Sequence, residues 1–594
     1  MKPLLKACLL LVSGLFATVH AADDWPLYGL DYSNQRLSPL TSIKPQNVAG
    51  LARRWRVKTG IKASFQASPV VREGVMYVST PFNHVLALDA ATGAERWRYE
   101  HALTTRDVCC GPANRGVAVA EGRVFMATID SRVVALDAAT GKKIWETPLI
   151  DTQPVATEKL SELLTGAAPD QSLGLAGSAQ TGQTGYSANM APQVVDGLVL
   201  VGVTGTAYGL HVETRENGET TMSVVGLAGE QLGLRGFIVA LDAVTGEERW
   251  RWHTVPDAAW TGSFTATTAY GETLNRDLAD ERARSERYAG SWQFGGGSVW
   301  TTPAVDRERG LIFIGTGNPA PQMDDATRPG DNLHTVSLVA LELKTGKLVW
   351  AYQQVPHDRW GYDVASPPVL FTVQHEGKPV EAVGQASKLG WFFVHERATG
   401  RLLHRSAPFA PQENLFTPPT EAGVRISPSG LGACSWSPVA LDEASGSVYI
   451  AGSHGPADYF VRKLPERAGQ AFDSYTMFKP VEGAHYGLLS ALNLTDGSLR
   501  WQVKLDEPMV GGVLATRSGL VFTGEGRGRF AAFDGATGAR LWEDTTEAGV
   551  NAPPVSYAVA GEQFVAVVAG GNSLYGYPVG DEIIAWALPR KIEP

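Results

Sequence analysis

Cysteine is nearly absent, with four residues in 594, too few for a fold stapled by disulfides. No Cys-x-x-Cys-His occurs, which excludes an attached c-type haem. Beyond the N-terminal segment no apolar run approaches the roughly 18 residues that a membrane helix needs. Basic charge is short too. Lys and Arg number 51 against 61 Asp and Glu, a net charge of -10, and no basic stretch offers a face for nucleic acid. The acidity suits a solvated surface, or steering toward a basic partner. Helical periodicity is missing as well. Apolar residues alternate with period two, which excludes a coiled coil or an α-solenoid.

What is present begins with an export signal. Lys2 and Lys6 flank the start of an apolar run from Ala7 to Val19, and Val19-His20-Ala21 offers small residues for cleavage. Residues 1–21 are therefore expected to be a signal peptide that takes Cys8 with it. Residues 22–594 are expected to form a single soluble domain, periplasmic or secreted. Length alone would suggest several domains, but internal repeats override that rule.

Glycine is abundant at 65 residues, and the 16 tryptophans follow a rule. An eleven-residue unit, Ala-Leu-Asp-Ala-x-Thr-Gly-x-x-x-Trp, spans Ala87–Trp97, Ala135–Trp145 and Ala240–Trp250. Weaker copies end at Trp350, Trp501 and Trp542. Another, His395–Gly400, ends on Leu402-Leu403, and Leu51–Trp55 reads as the tail of an eighth. Each unit is a β-hairpin in which Asp and Thr hydrogen-bond the turn and Gly takes positive φ. The Trp returns to a sheet face, where it stacks between neighbours and needs a fixed acceptor for its N–H. Upstream runs such as Val75–Val78, Val124–Ala127, Leu198–Val201 and Leu311–Ile314 supply a second hairpin. The expected fold is all-β, an eight-bladed β-propeller of four-stranded antiparallel blades. Gln563–Val568 and Ser573–Tyr577 are expected to complete the blade that ends at Trp55, leaving no free edge. The insertions Ile150–Tyr186, Leu210–Leu234 and Trp260–Phe294 are expected to form loops over the site.

The residues that carry chemistry lie between the repeats. Adjacent Cα atoms sit about 3.8 Å apart, below the roughly 4.4–6.8 Å of a usual disulfide. Cys109 and Cys110 therefore form a strained ring, remain two thiols, or leave one of them joined to Cys434. Gly295–Trp300 and Ile314–Pro321 place Trp300 eighteen residues before Asn318, and Ala386–Trp391 carries Lys388. Trp300 alone is compatible with core packing, and Lys388 with a solvated charge. An Asn amide oxygen suits a hard cation.

The tryptophan repeat and these segments together resemble the quinoprotein alcohol dehydrogenases, which oxidise alcohols with pyrroloquinoline quinone (PQQ). The likeness is to methanol and ethanol dehydrogenases without a haem domain. The repeat alone also occurs in scaffolds of outer-membrane assembly. The resemblance implies a vicinal Cys109–Cys110 disulfide against one face of PQQ and Trp300 against the other. It implies Arg115 on a PQQ carboxylate, Lys388 on the reacting quinone oxygens, and Asn318 on Ca²⁺ or a lanthanide. Gln66, Asn189, Thr204 and Gly205 occupy further cofactor-binding positions.

The chain departs from the family pattern at its most charged positions. Ala207 stands where the family has a metal-binding glutamate, and Gly361 where it has the catalytic aspartate. Gln66, Asn189, Thr204, Ser435 and Val510 replace a Glu, a Thr, a Ser, an Asn and a Trp. Asp363, where lanthanide-dependent relatives carry an extra aspartate, is the expected metal ligand or relocated base. Asp358 is a second candidate base with an equally good structural reading. The implied function is oxidation of an alcohol to an aldehyde or ketone by PQQ and a metal, with electrons passed to a separate cytochrome or other acceptor. The alternative is a non-catalytic PQQ-type scaffold of the cell envelope. A carboxylate of Asp363, Asp358 or the Glu213–Glu230 insertion within reach of Asn318 separates the two.

Overall fold

The computed structural model describes residues 23–103, 112–150, 186–205, 208–214, 220–226, 235–463, 474–572 and 575–590. The expected signal peptide, the Cys109–Cys110 pair and Ala207 lie outside the described residues, as does nearly all of the 150–186 insertion.

Alternating apolar runs separated by Asp-x-x-Thr-Gly turns dictate hairpins, and the hairpins assemble in pairs. In the Trp97 sheet, Val70–Arg72, Val75–Ser79, Val85–Asp89 and Glu95–Tyr99 lie in chain order, each antiparallel to the next. Seven such four-stranded units are present among the described residues, and an eighth gains Leu37–Ser38 as a fifth, parallel strand. The architecture is that of a β-propeller. Asp89 shows how the turn is held. Its Oδ1 accepts from Ala91 N, Thr92 N and the Thr92 hydroxyl at 2.9–3.2 Å. The register slips by one residue at Ala87/Leu88, and again at Ala240/Leu241, Ala340/Leu341 and Ala532/Phe533. Such a bulge re-aims the following side chain, here the Trp.

Each Trp then docks on the next sheet. The indole N–H groups of Trp55, Trp97, Trp145, Trp250 and Trp350 donate to Ala90 O, Ala138 O, Ala243 O, Leu343 O and Arg397 O. Trp501 reaches Gly535 O, and Trp542 reaches Leu51 O and so closes the circle. The acceptor is the same turn residue nearly every time. The turn glycine is required twice over. Gly141 sits at φ +70, and a Cβ there would lie 2.5 Å from the Trp97 ring. At the seventh unit, where Leu402-Leu403 replaces Trp, Gly497 packs instead on Ser406.

Closure differs in detail from the sequence expectation. Ala52–Ala63 pairs with Gly580–Ala587, which pairs with Glu562–Ala569 and that with Val555–Val559. The described part of Ser573–Tyr577 is not a strand. The true partner, Gly580–Ala587, carries a tryptophan of its own, Trp586. The Leu210–Leu234 insertion is also no simple loop. Tyr208–Thr214 and Thr220–Gly226 form a hairpin that adds to Ser474–Pro480, Ala457–Lys463 and Val424–Ile426 in a ninth sheet. Within the 260–294 insertion, Asp277 caps the short helix Leu278–Arg284.

An N-terminal strap, residues 23–38, crosses the innermost strands. It bonds Val71, Val194, Val305, Leu370, Leu441, Ala515 and Ala558, on seven of the eight inner strands. Arg36, fully buried, donates to Val513 O, Tyr28 O and Pro554 O and stacks on Trp25 and Tyr28. No helix among the described residues is long and apolar enough to cross a membrane.

Candidate active site

Functional side chains lie just before the inner strands, as Asp363 does before Val369–His375, or in the connection between the second and third strands of a sheet, as Asn318 and Lys388 do. These three meet. Asp363 Oδ1 accepts from Asn318 N at 2.8 Å and Oδ2 lies 3.3 Å from Lys388 Nζ. Lys388 spends its remaining donors on Gly361 O at 3.0 Å and Gly430 O at 2.9 Å, so all three N–H bonds of the ammonium are used. Its stem lies on Gly432. Burial pushes the Asp363 carboxyl above its ordinary value. The neighbouring Lys388 pulls it down, and Asp358 adds to the rise.

Asp358 is also close to Asn318, but in another role. Its Oδ2 accepts the Asn318 side-chain N–H at 2.8 Å together with Gly361 N and Tyr362 N, and its Oδ1 accepts Trp360 N. With 1% exposure and four donors aimed at it, the carboxylate orients Asn318 and ties the 358–362 turn. These bonds favour the structural reading of Asp358, as a positioning residue, over that of a base. Behind the turn, Arg328 donates to Asp358 O, Pro321 O, Asp324 O and Asn332 Oδ1. The ninth sheet reaches in as well: Tyr459 OH bridges Trp360 O and Gly430 N at 2.7 and 2.6 Å. The two turns that surround Lys388 are thereby fixed to each other.

Gly361 takes φ +94, and a Cβ there would lie 3.2 Å from both Gly430 Cα and Gln322 Nε2. The aspartate of the family pattern has therefore lost its space along with its side chain.

Arg115 lies over the Trp300 ring at 4.9 Å and the Trp436 ring at 5.5 Å. Its backbone bonds Asn189 O and Ser68 N, joining three sheets. Gly205 N donates to Ser298 Oγ, two residues before Trp300. Around this set, Gln66 Oε1, Asn189 Oδ1, Thr204 Oγ1, Trp300 Nε1 and Trp436 Nε1 are buried with no hydrogen-bond partner among the described residues. Native proteins rarely leave such atoms unmatched, and a flat, polar, aromatic molecule would satisfy them while stacking on Trp300. These residues fit PQQ. For a hard cation the described protein donors are few. No group of three His, Cys, Asp or Glu gathers among the described residues, leaving Asn318 Oδ1 and Asp363 to serve alongside oxygens of the cofactor.

Cys434 is a free, buried thiol pushed up to about 12 by burial, while Cys109 and Cys110 lie outside the described residues. Sequence reasoning passed over Trp436 and Tyr575. Their rings lie 6.0 Å apart, and Tyr575 OH reaches Leu431 O, beside the Lys388 turn. A tryptophan out of step with the repeat was the available signal for Trp436. Tyr575 had none, because its segment reads as a strand.

Comparison with known proteins agrees with this geometry. The chain matches the family described as PQQ: glucose/ethanol/alcohol dehydrogenase, β-propeller domain, over residues 25–147, 221–408 and 476–565. It is 31% identical to the quinohemoprotein alcohol dehydrogenase of Comamonas testosteroni, covering 95% of this chain and 75% of that one. It is likewise 31% identical to the quinoprotein alcohol dehydrogenase PedH of Pseudomonas putida, covering 91% and 85%. The solved Comamonas testosteroni structure superposes with a TM-score of 0.75 at 28% identity, covering 97% of this chain and 83% of its own. The ring, the site and these likenesses agree: the chain belongs to the PQQ-dependent (quinoprotein) alcohol dehydrogenase family.

Proposed function

We propose that this alcohol dehydrogenase works in the periplasm with Asp363 as its general base, oxidising an alcohol to an aldehyde or ketone and passing electrons to a separate acceptor. The observation that carries the reading is the carboxylate of Asp363, held between Asn318 N at 2.8 Å and Lys388 Nζ at 3.3 Å. When bound, PQQ supplies a quinone that takes two electrons, and the metal a Lewis acid that polarises it. Asn318 would hold the metal through its amide oxygen, which suits Ca²⁺ or a lanthanide. Asp363 accepts the hydroxyl proton, and the Lys388 ammonium beside it opposes the rise that burial imposes on its carboxyl. Arg115 and Trp300 hold the cofactor by charge and by stacking. The N-terminal Lys2–Ala21 pattern supports export, and the electrons would pass to an acceptor such as a cytochrome c.

The test is reconstitution of the purified protein with PQQ plus Ca²⁺ or a lanthanide, followed by dye reduction with a panel of alcohols. Asp363→Asn should retain PQQ and lose about 10²–10⁴-fold in kcat. Failure to bind PQQ with any metal, or full turnover by Asp363→Asn, defeats the reading.

A further inference from the structure

We propose that Asn551 is a further cofactor-binding residue, whose side-chain amide takes the pyrrole edge of PQQ. The proposal rests on the reading of the central site as a PQQ site. Asn551 is 1% exposed, and both its Oδ1 and its Nδ2 are buried with no partner among the described residues. Leaving an amide so is destabilising, and an apolar residue of the same shape would avoid it.

The position of Asn551 in the ring says what the amide faces. It lies four residues before the inner strand Val555–Val559. Gln66 stands in the same relation to Val70–Arg72, Asn189 to Gln193–Val195, and Trp300 to Ala304–Asp306. All three border the central site, and each carries an unpartnered polar atom. The backbone is cut to fit the amide. A Cβ on Gly549 would lie 2.9 Å from Asn551 Nδ2 and 2.0 Å from Gly526 O. On the other side, a Cβ on Gly511 would lie 2.9 Å from Val550 O.

The chemistry selects the edge. Gln66 and Asn189 leave an oxygen unpartnered, and Trp300 and Trp436 an N–H. Asn551 leaves both, and so asks for a donor beside an acceptor. PQQ offers that pair on one edge, where its pyrrole N–H adjoins a carboxylate. Its quinone and pyridine edges present acceptors alone.

Asn551→Leu in the full-length protein separates binding from folding. The variant removes both polar atoms at similar volume, so the melting temperature of the PQQ-free protein should stay unchanged or rise. The dissociation constant for PQQ, read by quenching of tryptophan fluorescence, should rise at least tenfold. Asn551→Asp, which sets a carboxylate against a carboxylate, should weaken binding as much or more, and it carries the test if the leucine variant fails to fold. PQQ esterified at the pyrrole carboxylate should bind wild type and Asn551→Leu with a smaller difference than free PQQ does. Variants that bind PQQ as tightly as wild type overturn the proposal and leave the function standing. A difference that the ester does not reduce overturns the edge assignment. A wild-type protein that does not bind PQQ overturns the site reading and this inference together.

Discussion

Asp358 accepts the side-chain amide of Asn318 at 2.8 Å, and that bond settles which way Asn318 faces. A carboxylate can only accept, so Nδ2 turns toward Asp358 and leaves Oδ1 directed away from it, available to a bound cation. Outer partners of this kind typically govern metal affinity by about 10–100-fold. Asp358→Asn should therefore raise the Ca²⁺ or lanthanide concentration needed for half-maximal turnover at least tenfold. Metal titration of the PQQ-loaded enzyme measures it.

Restoring the family's aspartate should not restore the family's mechanism. Gly361 is at φ +94 with Gly430 Cα 3.2 Å from where a Cβ would stand. A side chain in this backbone conformation costs about 1–3 kcal/mol. Gly361→Asp should lower the melting temperature and bring no gain in kcat. An increase in kcat would show that the turn can re-form around the new side chain.

Gly432→Ala tests the seat of Lys388 without touching its charge. Gly432 is at φ +85, and the added methyl would lie 2.4 Å from Lys388 Cγ. Displacing a reacting group by about 1 Å can cost on the order of 10²-fold. The variant should lose turnover on that scale. Gly483→Ala, with nothing within 4 Å of its Cβ, should keep it.

Acid should destabilise the ring through His395. This imidazole is fully buried, donates to Gly400 O and leaves Nε2 without a partner, and burial pushes it down to about 4. The unfolded chain takes up the proton at the ordinary value of 6.5. Stability is then complete above that pH and falls as pH drops toward 4. Linkage puts the loss at roughly 2 kcal/mol between pH 7 and pH 5. Urea denaturation at the two pH values should show it, and His395→Gln should reduce it by about that amount.

The ring was legible because its signal repeats. One Asp-x-x-Thr-Gly turn is ambiguous, but Trp97 docking on Ala138 is the same event as Trp250 docking on Leu343, and the repetition shows in the letters. Arg115 and Trp300 were singled out by resemblance alone, and the structure brings them together at 4.9 Å. What stayed hidden depends on partners far along the chain. The ninth sheet needs Thr220–Gly226 to find Ser474–Pro480, a register that no local pattern encodes. The role of Asp358 depends on three backbone N–H groups pointing at it, and an Asp reads the same whether it is saturated or free. Strand Gly580–Ala587 was missed because Tyr575 and Tyr577 form the more strand-like text just before it.

The strap that crosses the inner strands has a consequence in time. Synthesis runs from the N-terminus, yet Arg36 donates to carbonyls 477 and 518 residues later, at Val513 and Pro554. Other parts of the strap meet partners made early, such as Val71, but these two carbonyls are made late. A ribosome must finish nearly the whole protein before this guanidinium has them, so the nascent chain holds one end of its strap unfastened until its last sheets arrive.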